Sequence, residues 1–248
     1  MTDDSEPIES SITPLIVGLT TGGRMLGRVA GRVRIMGAID EIPRDGPVIL
    51  AANHASNLDA VVIGSWLMPR LGRRIHWLGK KELFAWPLVG WAAANGGVHP
   101  VDRGTADIEA FRLAQRILDE GHILFVFPEG TRSPDGALQV AQDGSAALAL
   151  RTGAPVIPIA IAGSNRVWPK GQTLPRPGGH VTIRVGSPFR PAELLPPGTD
   201  RRTGKGLVTT MIMDRIAALL PPSQRGVYGR GIAPAASGPK EAPVASQG

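Results

Sequence analysis

Cysteine is absent from the 248 residues, which excludes disulfides, thiolate catalysis and cysteine-ligated zinc. Aromatic residues are scarce, at 4%, too few for the stacking platforms that bind single-stranded nucleic acid. No nucleic-acid recognition motif is present either, so no nucleic-acid partner is expected. Long hydrophobic runs are also missing. None approaches the roughly 18 residues needed to cross a bilayer, and one of the longest, Ala154 to Ala162, is broken by Pro155 and Pro158. The histidines at 76, 99, 122 and 180 lack metal-ligand spacing, so no metal site is expected. Asp3, Asp4, Glu6 and Glu9 stand where a secretory signal would be positive, which leads us to expect a cytoplasmic origin.

What remains is the composition of a globular chain with a basic surface. Hydrophobic residues make up 42%, enough for one ordinary core, and the length fits a single large domain. The net charge of +6 suggests an anionic partner such as anionic lipid or a phosphorylated substrate.

Three regions are expected. In residues 1–31, Ile12, Leu15, Ile16 and Leu19 recur at helical spacing, with Leu26 continuing the stripe and Arg24, Arg28 and Arg32 following. Thr20 to Gly23 should weaken this helix in its middle. It reads either as a cap on the core or as an amphipathic helix lying on an anionic membrane surface. Residues 32–220 alternate strand-like and helix-like patterns. Strands are predicted at 32–36, 48–53, 75–79, 97–101, 123–127, 156–162 and 181–185, and helices at 59–68, 83–94, 105–120, 144–152 and 206–220. Such alternation predicts an α/β domain with a mostly parallel central sheet flanked by helices. From Pro221 to Gly248 the chain is rich in Pro, Gly, Ala and Ser, which predicts a disordered tail.

The chemistry-bearing residues cluster where predicted strands end. The apolar run Val48 to Ala52 stops at Asn53-His54, and in open α/β sheets residues past the carboxyl ends of strands face the ligand crevice. Ser56 or Asn57 can cap the following helix, placing Asp59 in its first turn. From there the Asp59 carboxylate can reach one ring nitrogen of His54 and leave the other free as a general base. Taken alone, the pair also fits a histidine and an aspartate that merely cap a helix. The second cluster, Phe127-Pro128-Glu129-Gly130-Thr131-Arg132-Ser133, follows another apolar strand. Gly130 permits a tight turn whose amides could cradle an anion. Arg132 can grip a phosphate bidentately, and Glu129 can accept hydrogen bonds from a polyol. The alternative is a surface turn with an exposed ion pair. Trp86, Pro87 and Trp91, close to Lys80 and Lys81, suit a membrane interface as well as core packing. Arg166 and Lys170 flank Trp168 in a loop that could line the crevice.

Together these blocks resemble the glycerolipid acyltransferase family that includes the 1-acylglycerol-3-phosphate acyltransferases (the PlsC-like family). Asn53, His54 and Asp59 match its N-H-x-x-x-x-D block, and Phe127 to Ser133 match F-P-E-G-T-R-S without a gap. Val101-Asp102-Arg103 fits a second block ending in Asp-Arg. Val156-Ile157-Pro158-Ile159 fits an apolar fourth block. Lys80-Lys81-Glu82-Leu83, with Pro87 and Gly90, resembles the linker between the first two.

The resemblance implies that His54 deprotonates an acceptor hydroxyl, oriented by Asp59. It implies that Arg103 and Arg132 hold an acceptor phosphate while Glu129 and Gly130 position the glycerol. Asn53, Lys80, Thr131 and Pro158 would also belong to the substrate site. The implied donor is acyl-CoA or acyl-carrier protein, as co-substrate and with no cofactor. The implied acceptor is a glycerolipid such as lysophosphatidate, in phospholipid synthesis, at the cytoplasmic face of the membrane as a peripheral protein. The pattern departs at Ala141, Gln142 and Asp143, where the family usually carries an aromatic and one or two lysines; this leaves the acceptor open among lysophosphatidate, other lysophospholipids, glycerol 3-phosphate and a glycolipid. Two other functions are compatible with the residues: a thioesterase or lipid hydrolase on the same scaffold, and a non-catalytic module binding anionic lipid.

Overall fold

The structure is a computed structural model that describes residues 7–101 and 107–228. Seven strands form one sheet: β1 (Gly31–Gly37), β2 (Val48–Ala52), β3 (Ile75–Lys80), β4 (Val98–Val101), β5 (Ile123–Val126), β6 (Val156–Ala162) and β7 (Gly179–Val185). Their order across the sheet is β1-β7-β6-β2-β5-β3-β4. All neighbours run parallel except β6 and β7, so the expected α/β fold with a mostly parallel sheet is what forms. β2 lies near the centre, between β6 and β5, which explains why every residue of Val48–Ala52 is buried. A strand covered on both faces reads as an unbroken apolar run.

Alternate residues of β2 feed two cores. Val48, Leu50 and Ala52 pack with Ile16 of α1 (Pro14–Ala30) and with Leu58 and Val62 of α2 (Leu58–Val62). Ile49 and Ala51 pack with Ile117 of α5 (Asp107–Asp119), Ala149 of α6 (Gly144–Thr152) and Ile212 of α8 (Arg201–Leu219). The result is three layers, helix on sheet on helix.

The N-terminal helix caps the core. Ile16 and Thr20 are buried while Leu15, Val17 and Met25 are exposed. Its glycines do not break it, because they sit where the helix approaches its neighbour. A Cβ at Gly23 would strike Ser65, and one at Gly27 would strike Trp66. The helix expected over 59–68 is three pieces: α2, a π-turn over Ile63–Leu67, and α3 (Met68–Leu71). Pro69 lacks the N–H that would have bonded the Ser65 carbonyl, and Arg24 Nε on α1 takes that carbonyl at 2.7 Å. The helix expected over 83–94 divides at Trp86 into a 3₁₀ turn and α4 (Pro87–Asn95), since the residue before a proline is held extended. α8 starts at Arg201, earlier than expected. Asp200 caps it through the amides of Arg202 and Thr203, while Gly204, which disguised this turn in the sequence, packs against Leu195 and Thr199.

Pro158 lies at the middle of β6, fully enclosed, and its carbonyl accepts from Gly186 N at 2.8 Å. A Cβ at Gly186 would sit 2.8 Å from the proline ring. Pro158 is thus packed at the start of the β6–β7 pairing. The tail, expected to be structureless from Pro221, packs as far as Tyr228. Leu138 N donates to Gln224 O at 2.9 Å, Gln224 Nε2 donates to Gly136 O at 3.1 Å, and Ala141 N donates to the Tyr228 hydroxyl at 3.1 Å. Gln224 and Arg225 are buried.

These tail contacts fasten residues 136–141. A chain ending at Leu220 should lose roughly 1–3 kcal/mol of unfolding free energy, because it strands amides that the tail now satisfies. A chain ending at residue 230 should unfold like the full chain. Thermal melts of the three proteins check this, and coincident curves would contradict it.

Candidate active site

His54 lies two residues past the end of β2, and Phe127 one residue past the end of the adjacent β5. Parallel pairing brings both to the same edge of the sheet, and the two rings stack with centroids 3.8 Å apart and an interplanar angle of 11°. Phe125 supports Phe127 edge-on at 4.9 Å. One face of the imidazole is thereby fixed by aromatic packing.

Asp59, in the first turn of α2, is completely buried. Its Oδ2 accepts from His54 Nδ1 at 2.9 Å, Ala55 N at 2.7 Å and Ser56 N at 2.8 Å. A carboxylate only accepts, so Nδ1 carries the proton and Nε2 presents its lone pair. No group among the described residues hydrogen-bonds Nε2. Ser56, just before the Asn57 N-cap of α2, accepts Leu58 N at 3.0 Å and donates to Trp168 O at 2.7 Å. The sharp turn that folds Asp59 back onto His54 is thus held at both ends.

The backbone of His54 is clamped by the second cluster. Its N–H donates to Glu129 Oε1 at 2.7 Å, and its carbonyl accepts from Ser133 N at 2.8 Å. Glu129 Oε2 accepts Gln139 N at 2.8 Å. With both oxygens engaged and only 4% exposure, Glu129 is a brace between His54 and the 136–141 segment. Asn53 is tied to the neighbouring strand β6. Its Nδ2 donates to Ile161 O at 3.0 Å and its Oδ1 accepts Ile161 N at 2.7 Å, so its amide extends the β2–β6 ladder.

Arg132 Nη1 donates to Asn57 Oδ1 at 2.5 Å, and Lys170 Nζ donates to Arg132 O at 2.8 Å. Gly130 turns the loop with φ +68°, and a Cβ there would press on the Gln142 side chain at 3.1 Å. The amides of Gly130 and Ser133 donate to Phe127 O and His54 O, so they contribute nothing to an anion cradle. Thr131 is exposed in this loop, and Lys80 is exposed at the end of β3, two strands from β2 on the same edge. Asp102 and Arg103 lie outside the described residues. The acid at position 143 points away, since Asp143 Oδ1 accepts from Thr209 Oγ1 on α8 at 2.7 Å.

Sequence reasoning missed the Phe127 stack, the Ser133 clamp and the Gln139 brace. The adjacency of β2 and β5 was the only signal for them, and it is not visible along the chain. It also treated the histidines as scattered, whereas His76, His99 and His122 come together. His76 Nδ1 is 3.0 Å from His99 Nε2, and the His76 and His122 rings lie 5.2 Å apart. Burial, with help from the neighbouring His99, His122 and Arg74 charges, holds His76 down to about 3, so the ring stays neutral. No group of three such residues among the described residues is arranged to hold a metal ion.

Burial raises Glu129 from its ordinary 4.5 to about 7, against the pull of its two backbone hydrogen bonds; the nearby Asp59 and Asp135 charges add to the rise. Because the folded value exceeds the unfolded one, this group's contribution is full below pH 4.5 and is lost as pH rises to about 7. That loss amounts to about 3 kcal/mol. The stability of the wild type relative to Glu129→Gln should therefore fall across this window and level off above it. Denaturant unfolding from pH 4 to 8 measures the difference, and a constant difference would contradict the assignment.

Residues 33–162 match the Acyltransferase family. A chloroplast 1-acyl-sn-glycerol-3-phosphate acyltransferase of Arabidopsis thaliana is 30% identical over 64% of this chain and 44% of its own length. A lyso-ornithine lipid O-acyltransferase of Pseudomonas aeruginosa is 35% identical over 62% of this chain and 57% of its own. The chain thus spans about half the length of these curated relatives. Among solved structures, the 1-acyl-sn-glycerophosphate acyltransferase PlsC of Thermotoga maritima superposes with a TM-score of 0.64 at 27% identity, over 80% of this chain and 76% of that one. The match covers β1 to β6 with His54, Asp59 and the Phe127–Ser133 loop inside it, and on that ground the chain belongs to the Acyltransferase family.

Proposed function

We propose that the chain is an acyltransferase that moves a fatty acyl group from acyl-CoA or acyl-carrier protein to a hydroxyl of lysophosphatidate or a related glycerolipid. The observation that carries this reading is His54, with Nδ1 committed to buried Asp59 and Nε2 open at the strand edge. In the reaction, Nε2 takes the proton of the acceptor hydroxyl as its oxygen attacks the thioester carbonyl. The tetrahedral intermediate collapses, the C–S bond breaks, and the thiolate leaves with the proton that the imidazolium returns. Asp59 favours the transient cation by Coulombic attraction from a site without water. No acyl-enzyme is required, in keeping with the lack of cysteine and of a Gly-x-Ser-x-Gly nucleophile elbow.

The acyl chains of both substrates call for a lipid surface. No helix among the described residues is long and apolar enough to cross a membrane. α4, which touches α1, and the turn before it instead expose Trp86 (68%), Leu88 (83%), Val89 and Trp91. Exposed apolar side chains gathered on one side of a monomer mark an interaction surface, and tryptophan suits the lipid–water boundary. With the basic net charge, this supports peripheral attachment to anionic lipid at the cytoplasmic face.

Thiol release from palmitoyl-CoA tests the reaction, with lysophosphatidate, glycerol 3-phosphate, a lysophospholipid or monoacylglycerol as acceptor. Release should require an acceptor and should fall ~10²–10⁴-fold in His54→Ala, the range for a positioned general base. Asp59→Asn should lose activity within the same range while keeping its fold by circular dichroism. His54-dependent release without acceptor would make the protein a thioesterase and overturn the reading.

A further inference from the structure

The sheet edge that carries His54 continues past β2 to the far side of the sheet. β1 and β7 run antiparallel to β6, so their first residues lie beside the carboxyl end of β6, on that same edge. Arg34 pairs with Thr182, and Thr182 with Ala162 at the end of β6. With β7 and β6 between them, β1 stands roughly 14 Å from β2, at ~4.8 Å per strand. A cleft of about 390 Å³ opens there, lined by Arg28 near the end of α1, by Gly31, Arg32, Val33 and Arg34 of β1, and by Trp66 of the π-turn. That volume is ordinary for a small-molecule site.

Arg28, Arg32 and Arg34 are exposed, and none of them pairs with an acid among the described residues. The elements around them carry no acid to offset the charge. Residues 10–39, with α1 and β1, contain no Asp or Glu. Neither do residues 60–81, with Trp66, nor 144–192, with β6, α7 (Ser164–Val167) and β7. Asp59, the acid just before Trp66's helix turn, is buried and committed to His54. Uncompensated charge of one sign in a cleft attracts anions. Trp66, packed against the core, adds an indole to the lining, and nucleobases stack on such rings. Arg28 also suits the last turn of a helix, and charge on an edge strand keeps copies of a chain from pairing. Neither role calls for three arginines around one indole.

We propose that this cleft binds the phosphorylated adenosine diphosphate head of coenzyme A, and that the chain therefore draws its acyl group from acyl-CoA. The proposal rests on the acyltransferase reading for the thioester, and on the cleft for the donor's head. That head joins a purine to a phosphomonoester and a diphosphate. Guanidinium groups meet phosphate oxygens through paired hydrogen bonds, and the purine has Trp66 to pack on. The pantetheine arm, extended, is long enough to carry the thioester from the cleft across the ends of β7 and β6 to His54. A carrier protein presents the same arm without a purine, and a lipid phosphate engages the arginines but leaves the indole unused.

Calorimetric titration of the full chain with coenzyme A, pantetheine and inorganic diphosphate reads the cleft without turnover. Wild type should bind coenzyme A more tightly than either of the other two. The double variant Arg28→Ala/Arg32→Ala should lose coenzyme A affinity roughly tenfold, the scale of a charge-assisted hydrogen bond. Arg44→Ala, which removes an exposed cation from the loop before β2, should bind like wild type. In turnover, the kcat/KM ratio of palmitoyl-CoA to palmitoyl-pantetheine should fall by a similar factor in the double variant, mainly through KM. Unchanged coenzyme A affinity in the double variant, or wild-type affinity no better than for pantetheine or diphosphate, would overturn the assignment. A loss confined to binding of phosphatidylglycerol vesicles would overturn it in favour of a lipid-headgroup site. A loss confined to palmitoyl-carrier protein as donor would overturn it in favour of a protein-docking surface. Arginine-dependent coenzyme A binding with no transfer from any thioester would uphold the cleft and count against the acyltransferase reading alone.

Discussion

Asp59 sits where no water reaches it, and three donors converge on one of its oxygens: the His54 ring and the amides of Ala55 and Ser56. A buried carboxylate is costly unless hydrogen-bonded. The turn from β2 into α2 therefore has one good way to close, and that closure sets which nitrogen of His54 bears the proton. Much of the surrounding architecture acts to keep this contact in place. Asn53 stitches the end of β2 to Ile161 of β6, and Phe127 covers one face of the ring. Both work because β2 runs parallel between β6 and β5, so three strand ends meet at one edge.

A second line of support reaches His54 from the end of the chain. Gln224 and Tyr228 fasten the segment around Leu138 and Ala141, Gln139 in that segment holds Glu129, and Glu129 holds the His54 amide. Glu129 is an expensive link, since burial opposes its charge while the amides it serves favour that charge. A buried polar chain of this kind rigidifies when every member is satisfied. It makes the general base depend on residues that never approach the substrate.

The fold was legible in the sequence because its strands are short apolar runs cut off by Gly, Asn and Pro. All seven predicted strands lie within two residues of those observed. Where helices were misread, tertiary packing overruled local propensity. Gly23 and Gly27 look like helix breakers but allow α1 to approach Ser65 and Trp66, and Gly204 hides a turn of α8 that Asp200 caps. In the site, the pairing of His54 with Asp59 was readable because only four residues and one turn separate them. The contacts of Asn53, Glu129 and Pro158 were not, because their partners are distant in the chain: Ile161, 108 residues from Asn53, then Gln139 and Gly186. Motif membership marked these residues as important but could not say whether they face substrate or brace the residues that do.

The central claim is that Asp59 fixes His54 as the Nδ1–H tautomer with Nε2 free to accept a proton. Nitrogen-15 NMR of the histidine-labelled protein, compared with His54→Ala to assign the resonances, reads this directly. At a pH where the ring is neutral, the account predicts a protonated, pyrrole-type Nδ1 and an unprotonated, pyridine-type Nε2, with Asp59→Asn losing that fixed state. A protonated Nε2, or the averaged shifts of two tautomers in exchange in the wild-type protein, would contradict it.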